Sequence, residues 1–301
     1  LAAIAAARGR VQPVLLRLSM SAAGGNERVR IIGDEGAGKF GMDLDDLRAA
    51  AVEAVASPSL EPLGVHAFGA SNLLDAGLLA AHVEATVGTA AAVAREAGFE
   101  LRLVDAGGGL GIPYRDEEPA LDLEALGERL AAVGGRMAAD PATATARVVV
   151  EPGRFLVGAA GAYVARVIDT KTVEGSRVAI LDGGINHVLR PVLVGQEHRV
   201  VALTGAAAGR VTPGAPSVTV AGPLCTGLDI LAREAPLDGL AAGDLVAVLD
   251  TGAYGATEAM PLFLSHAMPA EVVLRGGVPA LARPRIEPET WLGWHLDDAG
   301  G

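Results

Sequence analysis

The chain has 301 residues, half of them hydrophobic and 20% charged, with a formal net charge of −12. This composition excludes a disordered chain and can fill the core of one large or two ordinary domains, while the acidic balance without a basic run argues against nucleic-acid or anionic-membrane partners. A single cysteine, Cys225, excludes an intramolecular disulfide and a multi-cysteine zinc site, and no metal is expected.

The sequence opens on Leu1-Ala-Ala-Ile-Ala-Ala-Ala, without Met and reading as the middle of a helix, so a fragment is expected. No secretory leader is read, which makes the cytoplasm the expected location. Strand-like runs at 13–18, 63–68, 101–105 and 147–151 alternate with helical patterns at 43–55, 73–97 and 121–138. Such alternation implies parallel strands with crossover helices, and a (β/α) barrel puts its chemistry at the C-terminal ends of such strands. From about residue 165 the texture changes. Short β-branched segments at 164–173, 177–181, 188–194, 199–203, 217–220, 245–249 and 271–275, punctuated by Gly, Pro and Asp, predict an antiparallel β domain. The expected domains are therefore 1–164 and 165–301. The longest uncharged stretch, 211–228, is too broken by prolines, glycines and hydroxyls to span a bilayer, and 297–301 read as a frayed tail.

Several short stretches carry chemistry. In Val104-Asp105-Ala106-Gly107-Gly108-Gly109-Leu110-Gly111 a strand runs into glycines whose backbone can approach an anion and aim N–H groups at phosphate oxygens. Val150-Glu151-Pro152-Gly153-Arg154 sets a carboxylate and a guanidinium three residues apart at a strand end, and Gly252-Ala253-Tyr254-Gly255 puts a phenol in a glycine turn. Taken singly, each has a plain reading: a turn, a cap, a surface ion pair for Arg154 or Arg190, a core tyrosine, a small buried cysteine, a core histidine at His66. Their combination and order outweigh those readings. A stretch with P-loop spacing, Gly33-Asp-Glu-Gly-Ala-Gly38-Lys39, carries Phe40 where a hydroxyl must hold magnesium, so nucleotide hydrolysis is set aside.

The ordered set resembles the fold-type III pyridoxal 5′-phosphate (PLP) decarboxylases that act on diaminopimelate, ornithine and arginine, from about Pro13 onward. The resemblance implies an α/β fold: a partial (β/α) barrel, strands five to eight of a TIM-like barrel, followed by an antiparallel β domain. It implies an amino-acid substrate and a homodimer whose active site is shared across the interface. Glu151 would pair with the ring nitrogen; Gly107, Gly108, Gly109, Gly153, Arg154, Ser71 and Tyr254 would hold the phosphate end, and Phe68 would stack on the ring where the family usually has a second histidine. Cys225, in Gly222-Pro223-Leu224-Cys225-Thr226-Gly227-Leu228-Asp229, would be the catalytic acid that reprotonates the carbon after carbon dioxide leaves. Arg154, Arg190, Thr226, Asp229 and Tyr254 would contact substrate, with His66 supporting the site from behind.

The family's Schiff-base lysine would lie upstream, since neither Lys39 nor Lys171, the latter in a turn-like charged stretch, matches it. The chain alone is therefore expected to be inactive, with residues such as Val14 or Leu15, Leu16 and Leu18 exposed on an apolar barrel-interior face. Two departures bear on substrate: Thr226 stands where diaminopimelate enzymes have glutamate and ornithine enzymes aspartate, and Val194 stands where the former have tyrosine. They predict poor activity on meso-diaminopimelate. A non-catalytic binding relative, and an alanine-racemase-like enzyme of the same architecture, are the alternatives.

Overall fold

Aspartate side chains set where the long helices start. Asp43, Asp75 and Asp122 each accept a hydrogen bond from the backbone N–H three residues on, at Asp46, Leu78 and Ala125, all at 2.9 Å. They satisfy donors that the first helical turn leaves open. After a short α1 (Ala2–Ala7), they open α2 (Leu44–Ala56), α3 (Ala76–Ala97) and α4 (Leu123–Ala139), and α3 ends on Gly98 in a left-handed conformation. This computed structural model describes residues 1–20, 39–69, 71–209 and 216–293. The P-loop-like glycines at 33–38, the tail at 297–301 and part of the 211–228 stretch lie outside them.

The chain divides into two units, Leu1–Pro113 with Glu117–Leu156, and Tyr114–Asp116 with Val157–Gly301. In the first, β1 (Gln12–Leu18), β2 (Leu60–Ala67), β3 (Leu103–Asp105) and β4 (Arg147–Val149) form one parallel sheet in that order. Neighbours in register point to the same face. Leu16, Val65, Val104 and Val148 make one row and pack with Leu47, Val87, Val93 and Met137 of the helices. Burying side chains of this size contributes about 1.5–3 kcal/mol each. The next row, Arg17, His66, Asp105 and Val149, lies on the opposite face and is largely polar. Leu16 and Leu18 thus belong to the helix-facing core, with Leu18 buried, and not to the exposed apolar face expected for them. Helix α3 is long and apolar enough to cross a membrane by composition, yet it supplies buried residues from Ala76 to Ala94 to the packing of this unit.

The second unit begins earlier than residue 165, because Tyr163 and Val164 already belong to β5 (Tyr163–Val173). After a turn of helix α5 (Gly153–Val157) that crosses the boundary, β5 joins β6 (Ser176–Leu181), β7 (Val200–Ala202), β8 (Val218–Ala221), β9 (Ile230–Ala235) and β10 (Leu245–Val248) in the order β7-β10-β5-β6-β8-β9. The sheet is antiparallel except where β6 runs parallel to β8. β11 (Glu271–Arg275) and β12 (Val278–Arg283) form a separate hairpin, followed by α7 (Pro288–Leu292). The strand expected over 188–194 is instead α6 (Arg190–Leu193), a single turn with Pro191 in its first turn; burial of Val188 and Arg190 overrides the β-branched composition. Lys171, expected in a turn, is paired with Val178 inside the β5–β6 ladder. β9 went unread because Ala232, Arg233, Glu234 and Ala235 carry little strand signal.

Candidate functional site

The glycine turn after β3 is built by its neighbours. Asp105 accepts from the Gly107 N–H at 2.9 Å, and the Gly107 carbonyl accepts from the Glu151 N–H at 2.8 Å, tying the ends of β3 and β4 together. Gly107 and Gly109 adopt φ of 68° and 99°, a region that L side chains rarely enter. A Cβ on Gly107 would stand 2.5 Å from the Ala67 carbonyl oxygen, and one on Gly108 2.6 Å from that of Glu151, with the Phe68 ring close to both. Only glycine lets three strand ends approach this closely.

Across the turn, Leu73 donates to the Gly109 carbonyl at 2.8 Å, and the buried Asn72 accepts from Ile112 N–H at 2.9 Å. This clasp fixes Ser71, whose hydroxyl accepts from Arg154 at 3.2 Å; Arg154 itself is buried at the start of α5. Glu151 is exposed at the end of β4, and one polar atom each of Glu151, Asp105 and His66 lie within 4.8 Å of one another. His66 Nε2 is buried without a hydrogen-bond partner. Behind them His82 meets the Ala106 carbonyl at 3.0 Å, and its burial lowers its pKa despite that bond. The first unit therefore gathers Phe68, Ser71, the three glycines, Glu151, Gly153 and Arg154 at the C-terminal ends of parallel strands. Asp105, Asn72 and His82 had drawn no role from the sequence; an Asp two residues before a positive-φ glycine was the available signal for the first.

The second unit carries the other expected residues. Cys225 is exposed on the loop between β8 and β9, pinned by buried Leu224 on one side and Asp229 on the other. Asp229, expected at substrate, is 2% exposed and spends both oxygens on main chain: Ile185 N–H at 2.8 Å and Leu224 N–H at 2.7 Å. A Cβ on Gly184 or Gly222 would overlap its carboxylate. Asp229 thus satisfies two buried N–H groups that would otherwise lack a partner. The Thr226 hydroxyl accepts from Leu228 N–H at 3.2 Å within the exposed loop.

Arg190 is not a surface charge. Its side chain is 5% exposed, ion-paired to Glu258 at 2.7 Å, and its guanidinium lies 4.8 Å from the Tyr254 ring centroid. Its Nε is buried and without a partner. Tyr254 holds a φ of 64° in its glycine turn. Nearby in sequence, His187 Nδ1 meets the Tyr163 hydroxyl at 2.8 Å; burial raises the pKa of Tyr163, reinforced by Asp182 and Asp229, and lowers that of His187.

A family model described as the pyridoxal-dependent decarboxylase, C-terminal sheet domain, matches residues 55–252. Diaminopimelate decarboxylase of Zymomonas mobilis is 31% identical over 292 residues, covering 96% of this chain and 65% of the relative. The enzyme of that name from Escherichia coli is 31% identical over 307 residues, covering 96% and 69%. The crystal structure of Helicobacter pylori diaminopimelate decarboxylase complexed with L-lysine superposes with a TM-score of 0.82 at 26% identity, over 99% of this chain and 70% of that one. The chain thus spans about two thirds of the length of the relatives it matches.

Proposed function

Because this chain belongs to the pyridoxal-dependent decarboxylases that act on ornithine, diaminopimelate and arginine, we propose that it serves PLP-dependent removal of the α-carboxylate from an amino acid in a complete enzyme of that family. The observation that carries this is the assembly at the ends of β2, β3 and β4: a side-chain-free turn, a buried arginine meeting a serine hydroxyl, and an accessible carboxylate beside the unpartnered His66 Nε2. These donors fit PLP, whose phosphate needs N–H, hydroxyl and guanidinium partners and whose ring nitrogen needs a carboxylate. We read the four parallel strands as strands five to eight of a barrel, and the second unit as the family's sheet domain.

When bound, PLP supplies an electron sink for the pair released as carbon dioxide departs. Glu151 would pair with the ring nitrogen and favour its protonated form, and the 107–109 turn, Gly153, Ser71, Arg154 and Tyr254 would hold the phosphate end. Phe68, whose ring lies close to the 107–108 turn, would stack on the cofactor ring. Arg190, held by its ion pair with Glu258, is assigned to a substrate carboxylate. Cys225, offered from the partner subunit of a homodimer, delivers a proton to the substrate α-carbon. The location proposed is the cytoplasm.

The test is carbon dioxide release by the complete enzyme, with and without PLP, from meso-diaminopimelate, ornithine, arginine and lysine. PLP-dependent release from at least one is expected, and Glu151→Gln should keep PLP bound while lowering turnover by orders of magnitude. Unchanged turnover in that variant would reject the assignment of Glu151. Selective decarboxylation of meso-diaminopimelate would show that Thr226 and Val194 do not set the substrate.

A further inference from the structure

The guanidinium of Arg190 is already matched by a carboxylate of its own chain. Its Nη1 donates to Glu258 Oε2 at 2.7 Å, a charge-assisted bond that offsets the burial of a side chain only 5% exposed. Glu258 is 24% exposed, so a ligand that reaches the pair meets a carboxylate as well as a guanidinium.

The backbone builds this pair from both sides. Glu258 N–H donates to the Tyr254 carbonyl at 3.2 Å, closing a turn of chain that brings the Tyr254 ring and the Glu258 carboxylate to the same guanidinium. Glycines lock the turn, because a Cβ on Gly252 would collide with the Val157 carbonyl and one on Gly255 with that of Thr251. On the other side Pro191 fixes the first turn of α6 directly after Arg190. The guanidinium is thereby held over the Tyr254 ring, 4.8 Å from its centroid, with Glu258 on one of its terminal nitrogens.

A substrate carboxylate arriving at Arg190 has two courses. It displaces Glu258 and breaks a partly buried ion pair, or it shares the guanidinium with Glu258 and stands beside a like charge. Each course costs affinity, and a substrate end without negative charge incurs neither cost. Resting on the assignment of Arg190 to the substrate pocket of an amino-acid decarboxylase, we propose that Glu258 is a specificity-determining residue. It occupies Arg190 against a second substrate carboxylate, so the preferred substrate is an amino acid whose only carboxylate is the one that leaves and whose side chain ends in an uncharged or cationic group. The discrimination is a repulsive element placed against the wrong substrate, beside whatever attractive contacts select the right one.

The experiment sets meso-diaminopimelate, with two carboxylates, against ornithine, arginine and lysine on the PLP-loaded complete enzyme, reading KM for a compound that is turned over and Ki as a competitor for one that is not. Glu258→Gln keeps the length and an acceptor for Arg190 but removes the negative charge. The native enzyme should bind the best of the three monocarboxylic compounds at least about tenfold more tightly than meso-diaminopimelate, and Glu258→Gln should lower that ratio about tenfold, through the constant for meso-diaminopimelate. Glu258→Asp, which keeps the charge, should stay nearer the native ratio than Glu258→Gln does. In an Arg190→Gln background, Glu258→Gln should shift the ratio much less, because the guanidinium at stake is gone. A native preference for meso-diaminopimelate, a Glu258→Gln ratio equal to the native one, a ratio that falls as far without Arg190, or a Glu258→Gln that binds meso-diaminopimelate more weakly, as a carboxylate serving the second amine of that compound requires, would each overturn the inference while decarboxylation stands. Failure of all four compounds to release carbon dioxide with PLP would instead reject the decarboxylase reading, and the inference with it.

Discussion

Replacing Asp229 separates a scaffold role from a substrate role. Its carboxylate is buried and accepts from two main-chain donors, Ile185 at 2.8 Å and Leu224 at 2.7 Å, one on the Gly183-Gly184 loop and one on the loop that carries Cys225. Asp229→Asn keeps the volume and one acceptor but turns an amide NH₂ toward the other donor. One buried N–H then loses its partner at about 1–3 kcal/mol, and the surviving bond loses its charge assistance, so a loss of roughly 2–3 kcal/mol is expected. Asp229→Ala strands both donors, and the expected loss rises to about 2–6 kcal/mol. Trp291, buried in the same unit, reports its urea transition by fluorescence. The expected order of stability is Asp, then Asn, then Ala. If Asp229→Asn unfolds at the native midpoint while the complete enzyme loses affinity for its substrate, the carboxylate works on substrate and the scaffold reasoning is wrong.

The same substitution at two glycines of the site should have opposite outcomes. Gly107→Ala places a Cβ at φ 68° and 2.5 Å from the Ala67 carbonyl, for an expected loss of about 2–4 kcal/mol; Gly153→Ala meets no atom within 4 Å and should change stability by less than about 0.5 kcal/mol. Far-UV circular dichroism reads both, because α2, α3 and α4 all lie in that unit, and equal losses would refute the packing argument. Arg154→Ala should weaken PLP binding in a fluorescence titration, with Arg154→Lys restoring only part because an ammonium cannot make the same planar contacts. His82 and His187 both have pKa values lowered by burial, so the unfolded chain binds more protons than the folded one as pH drops below the ordinary histidine value of about 6.5. Stability is fully present above that pH, declines below it, and levels off once the folded-state values are passed. A urea midpoint that rises on acidification through that window would contradict the sign, and His82→Asn should flatten part of the decline.

Much of the site was legible because its chemistry is local. Glycines that must sit at positive φ, a carboxylate and an arginine three residues apart, and a proline-bounded strand end all leave their mark within a few neighbouring residues, and the structure brings residues 107–109, Glu151, Arg154 and Ser71 together. Asn72 escaped notice because its work, reaching Ile112 across forty positions, exists only once two strands are adjacent. The contacts of Arg190 escaped notice for the same reason: Glu258 and Tyr254 close around it only in the folded chain.

The sequence by itself determined the alternation of strand and helix in the first unit, because aspartate caps and apolar periodicity act over one or two turns. It also determined the shift to short strands in the second. Tertiary structure alone decided which face of the parallel sheet is polar, since a one-residue change in register exchanges the Leu16 row for the Arg17 row and nothing within a single strand reveals it. It alone brought Asp229 its two main-chain donors, because those donors come from loops far apart in the chain.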